Sequence, residues 1–89
     1  MSEPEIDLDR IDDAVLALMY LTLHDLNKFT GLARAWKSFD WDTLSRLYDK
    51  DLIFDPVSKA KSVVLTEEGM KRSKALFHEL FARRDRAAR

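Results

Sequence analysis

The chain has 89 residues, 46% of them apolar, with 15 basic and 16 acidic side chains and no cysteine. That length makes one domain, and the missing cysteines exclude a disulfide framework or a thiolate zinc site. The net charge of −1 is unevenly placed: residues 1–13 carry six acids against Arg10, and residues 69–89 carry seven bases against Glu79 and Asp85.

In chain order, residues 1–8 read as a flexible acidic arm, 9–82 as a single domain and 83–89 as a basic C-terminal tail. The opening "MSEPEIDLDR" lacks the basic-then-apolar pattern of a signal peptide. The longest apolar run, "AVLALMYLTL", falls well short of the roughly 20 residues that span a bilayer. These features point to a soluble, cytoplasmic protein that does not enter membranes.

Asp9 suits a helix N-cap, with Ile11, Val15, Leu18 and Thr22 tracing one helical face. From Ala14 to Leu23 apolar residues surround most of the helix, which implies cover on more than one side. A second subunit supplies such cover in a small domain. Thr30-Gly31 then interrupts the pattern, and Leu32, Ala35, Trp36 and Phe39 can line a short helix. Asp40 caps the next helix, "WDTLSRLYDK", with Trp41, Leu44, Leu47 and Tyr48 turned inward. Leu52–Phe54 and Ser62–Leu65 read as short strands joined by a loop containing Asp55-Pro56. Thr66 caps the last helix, with Glu67 and Glu68 in its first turn and Met70, Ser73, Phe77, Leu80 and Phe81 as its buried face.

The order of helices, "LSRLYDKDLI", hairpin, "VVLTEEG" and closing helix resembles the second half of bacterial winged-helix regulators. In that pattern a reading helix ends in Leu-x-x-x-Gly-Leu-Ile, and a wing returns into Leu-Thr-x-x-Gly. The matching residues are Leu47, Asp51, Leu52, Ile53, Leu65, Thr66 and Gly69. The resemblance implies an α+β, mostly helical, winged-helix-like fold of three or four helices with a two-stranded hairpin. It also implies a module that binds duplex DNA or assists transcription, with Arg46 and Lys50 at the major groove, Lys59 and Lys61 on the wing, and Arg34 and Lys37 beside them. Asp51 stands where the pattern has Gly, and a helix before the reading helix is missing or compressed. The outward residues of the reading helix, Asp42, Thr43, Arg46, Asp49 and Lys50, are electrically balanced, so carboxylates would repel approaching phosphates. More narrowly, "IDDAVLALMYLTLHD", "RAWKSFDWDTLSRLYDKDLI" and "LTEEG" are similar to a family of small bacterial proteins of unknown function, which implies no activity.

The alternative reading is a homodimeric protein-interaction module that keeps the fold without binding DNA, joined through its first and last helices. Their opposite charges and surplus apolar surface suit that contact. Enzymatic chemistry is not expected. Ser58-Lys59-Ala60-Lys61 matches Ser-x-x-Lys, but in a hairpin loop instead of at a helix N-terminus. His24 and His78 are the only histidines, and His24, near a helix C-terminus, more simply meets last-turn carbonyls than a metal. Paired acids such as Asp12-Asp13 are explained by the helix dipole. No cofactor is implied, because the two glycines, Gly31 and Gly69, build no phosphate-cradling loop. The aromatics Phe29, Trp36, Phe39, Trp41 and Tyr48 read as packing residues; exposure of either tryptophan would mark a partner surface.

Overall fold

The computed structural model describes residues 4–83. Three helices, α1 (Leu8–Met19), α2 (Trp41–Asp49) and α3 (Glu67–Phe81), surround a two-stranded antiparallel sheet, β1 (Arg34–Trp36) and β2 (Ser62–Val64). The fold is α+β. Most of the basic tail, including Arg84, Arg86 and Arg89, lies outside the described residues.

α1 begins two residues earlier than its sequence suggests. Asp7, not Asp9, is the cap, and its Oδ1 accepts from Asp9 N at 3.1 Å and Arg10 N at 3.3 Å. Acids at 7, 9, 12 and 13 offer several caps in sequence, and capping by Asp7 leaves Asp9 in the first turn. The helix buries Asp12, Leu16, Ala17 and Met19, so the stripe Ile11–Val15–Leu18 lies beside the core instead of inside it. A 3-10 turn, Tyr20–Thr22, tightens its end.

The segment after Gly31 is a strand, not the short helix expected from Leu32, Ala35, Trp36 and Phe39. Burial alternates from Ala33 to Trp36, with Ala33 and Ala35 inward and Arg34 and Trp36 outward. In so short a window the two periods overlap, and two small inward residues let the backbone lie close against the core. β1 pairs with β2 in the register Arg34↔Val64, Ala35↔Val63 and Trp36↔Ser62. The hairpin expected between Leu52–Phe54 and Ser62–Leu65 is therefore only partial. Ile53 bridges Leu65, Phe54 N donates to Val64 O at 2.9 Å, and β1 takes the other edge of β2. On the far side of β1, His24 and Arg34 exchange two backbone bonds of 2.9 Å.

The junction of α2 with α3 forms as its residues suggest. Asp40 Oδ2 accepts from Thr43 N and caps α2. At the other end Asp51 takes a left-handed φ of 63°. Leu52 N donates to Leu47 O and Asp51 N to Tyr48 O, a Schellman closure in which Asp stands in the usual glycine position. Thr66 Oγ1 donates to Asp51 O at 2.8 Å and accepts from Gly69 N at 2.9 Å, so one hydroxyl joins the end of α2 to the start of α3. Thr66 N also donates to Leu52 O. A Cβ on Gly69 would sit 1.8 Å from that same carbonyl, so only glycine permits the approach.

The core consists of Leu16, Ala17, Met19, Ala35, Leu44, Leu47, Leu52, Ile53, Val63, Leu65 and Leu76, with Val15, Leu23, Phe39, Met70 and Phe77 packed against it. α1 and α3 pack on one another, and buried Ser73 Oγ donates to Leu16 O at 2.7 Å across that contact. Trp41 and Tyr48 are half-exposed, not inward, and so are Leu80 and Phe81. Among the described residues no helix is long and apolar enough to cross a membrane.

Candidate functional site

The six cations named as candidate DNA contacts fall into three pairs. Arg46 and Lys50 converge on Asp12, which α1 holds only 1% exposed. Arg46 Nε donates to both Asp12 oxygens at 2.9 and 3.0 Å, and its Nη2 lies 2.8 Å from Oδ1. Lys50 Nζ donates to Asp12 Oδ2 and Asp9 Oδ1, each at 2.8 Å. Burial pushes the Asp12 carboxyl up, but the bonds from Arg46 and Lys50 outweigh it and hold it below the usual carboxylate range. Lys50 is raised, first by its bond to Asp12 and then by Asp9. The dipole explanation of Asp12 is thus incorrect: it sits beyond the first turn and ties α1 to α2. Asp13 faces α3 instead, and accepts from Arg72 Nη2 at 3.1 Å.

Arg34 and Lys37 are engaged at the sheet. Arg34 lies across β2, with Nε donating to Ser62 Oγ at 2.6 Å and Nη2 to Ser62 O at 3.0 Å. Lys37 Nζ donates to Pro56 O at 2.6 Å and to Ser58 O and Oγ at 3.2 Å, which fastens the loop before β2 to the end of β1. Lys59 and Lys61 project from that loop, exposed and without a salt-bridge partner among the described residues. Four of the six thus bind groups of their own chain.

Several large apolar side chains are also exposed. On α1, Leu8, Ile11 and Leu18 are 48, 38 and 38% exposed, with half-buried Val15 between them. Their spacing of three, four and three residues forms a single seam along the helix. Trp36, Trp41, Tyr48 and Phe54 are each about half-exposed, and Phe29 is 99% exposed at a loop tip. Of the aromatics read as packing residues, Phe39 alone packs against the core. The two histidines meet carbonyls: Thr22 O lies 2.6 Å from His24 Nδ1, and Lys74 O lies 2.8 Å from His78 Nδ1. His24 also stacks on Trp36, with ring centroids 4.5 Å apart.

Sequence reasoning passed over a cavity of about 380 Å³ on the outer side of the sheet, lined by Asp25, Asn27, Thr30, Leu32, Arg34, Phe54 and Val64. The residues come from a loop, both strands and the bridge segment, so no local motif signals it. The one local hint is Asn27 before Thr30-Gly31, a turn signature.

No solved structure matches the chain. The uncharacterized protein y4hR of Sinorhizobium fredii is 57% identical over 79 residues, which cover 89% of this chain and 99% of that protein. Residues 7–83, from the cap of α1 to just beyond α3, match the family described as a domain of unknown function, DUF6429. The shared stretch thus takes in the Asp12 cluster, the cavity and the junction at Gly69, and the chain belongs to the DUF6429 family.

Proposed function

We propose that the protein is a non-enzymatic interaction module that works as a homodimer, joined through the outer seam of α1. The observation that supports this reading is the line Leu8, Ile11, Val15 and Leu18, apolar at seam spacing and left partly open to water. Single exposed leucines are ordinary. A regular line of them on one helix suits a second copy of the same helix, because a two-fold axis brings the same stripe against itself. The last helix offers Leu80 and Phe81 near its end, while its Ser73–Leu76 face packs inside the chain.

Binding of duplex DNA by a winged-helix-like domain is the second reading. It draws support from the Ile53–Leu65 bridge beside β2 and from free Lys59 and Lys61 on the connecting loop. Against it, Arg46 and Lys50 would have to leave a buried carboxylate before meeting a phosphate, which costs more than an exposed contact returns. Two measurements separate the readings. Light scattering should give twice the 10.4 kDa chain mass. Fluorescence anisotropy with random duplex DNA at low salt should give no binding tighter than about 10⁻⁴ M, the weak end of non-specific affinity. A monomer that binds DNA more tightly than that would reverse the order of the two.

A further inference from the structure

The cavity over the sheet combines three features. Leu32, Phe54 and Val64 give it an apolar lining. Arg34 on one side is immobilised by Ser62, which takes two of its five N–H groups and leaves three to donate elsewhere. Asp25 lines the same cavity and has no salt-bridge partner among the described residues, Arg34 included. Opposite charges thus share one concave site without closing on each other.

The loop that carries Asp25 is ordered by its own polar groups. Asn27 Oδ1 accepts from Phe29 N at 2.8 Å and Thr30 N at 3.1 Å, and Asn27 N donates to Leu32 O at 2.8 Å. Gly31, at φ 75°, donates to Asn27 O at 2.7 Å. The segment that follows Asp25 in the lining is therefore a braced turn, and the cavity is large enough for a small molecule.

We infer that this cavity binds a small zwitterion with an apolar body, a free amino acid such as leucine or a short apolar peptide. The carboxylate pairs with the Arg34 guanidinium, the ammonium with Asp25, and the side chain lies on Leu32, Phe54 and Val64. A simple anion would meet the carboxylate of Asp25, and a simple cation would meet Arg34. A molecule carrying both charges satisfies both. A monomer has the whole cavity, so this site does not depend on self-association.

The test is a ¹H–¹⁵N titration of the full chain with L-leucine and, separately, L-leucyl-L-leucine; the tighter ligand sets the size class. Amides of Leu32, Arg34, Phe54 and Val64 should shift and saturate by about 10 mM, the range of a weak but specific site. N-acetyl-L-leucine lacks the ammonium and L-leucinamide lacks the carboxylate, and each should bind at least about tenfold more weakly. Asp25 has a left-handed φ of 52°, which Asn tolerates, so Asp25→Asn should abolish the preference for leucine over its N-acetyl form. Arg34→Gln should abolish the preference over the amide. The inference fails if neither probe gives saturable shifts at these residues, or if the capped forms bind as well as leucine does.

Discussion

At the scale of single residues, Asp12 does the most to define this molecule. A carboxylate that is 1% exposed would be strongly destabilising alone, yet Arg46 and Lys50 supply four close contacts to its two oxygens. Both cations remain partly open to water, so removing Asp12 leaves them able to rehydrate. We expect Asp12→Ala to destabilise the fold by about 3 kcal/mol, the lower end for a broken buried pair, measured by urea denaturation. The pH dependence follows from the depressed carboxyl. Its contribution is fully present above the ordinary Asp value of about 3.9, and is lost as pH falls through the lower native value. Lys50, raised by Asp12 and Asp9, contributes below its unfolded value and loses that contribution as pH rises through the higher native one. Denaturation of Asp12→Asn from pH 2 to 6 should therefore have a flatter acid limb than the parent, and an unchanged slope would contradict the assignment.

At the scale of elements, the junction of α2 and α3 sets two effects of Gly69 against each other. Propensity alone favours Gly69→Ala by about 1 kcal/mol, because Ala is the better helix residue. Geometry opposes it, since the new Cβ would stand 1.8 Å from a backbone carbonyl already bonded to Thr66 N. Backbone cannot yield as a side chain tip does, so overpacking of about 3 kcal/mol should win. For a domain of this size a net loss of about 2 kcal/mol lowers Tm by roughly 8–16 °C, readable by thermal unfolding. A stabilised Ala variant would refute the packing described for this junction. These same residues explain what could be read from sequence. Asp40 and Thr66 cap through bonds to residues three positions on, and those roles were legible; Gly69 and Asp51 were legible only as positions in a motif. β1 was not, because Leu32, Ala35, Trp36 and Phe39 satisfy a helical spacing while Ala33 and Ala35 satisfy a strand. The partner of Asp12 lies 34 residues away, and the cavity gathers three separate segments. Such pairings are set by how elements dock, which a short window of sequence does not contain.

At the scale of the whole molecule, charge and apolar surface divide the work. Cations that would form a DNA-reading face hold α1 to α2 and the loop before β2 to the sheet. The α1 seam, a set of half-exposed aromatics, and Lys59 and Lys61 are among the groups that stay outward. With α3 already packed on α1 inside one chain, the surplus apolar circumference of the first helix is divided between the core and this outer seam. The seam tests the proposed self-association most directly. Sedimentation equilibrium should find the parent chain at twice its 10.4 kDa mass, and the double variant Ile11→Asp, Leu18→Asp, folded by circular dichroism, at the mass of one chain. A parent chain that stays monomeric at high concentration, or a folded double variant that remains a dimer, would contradict the account.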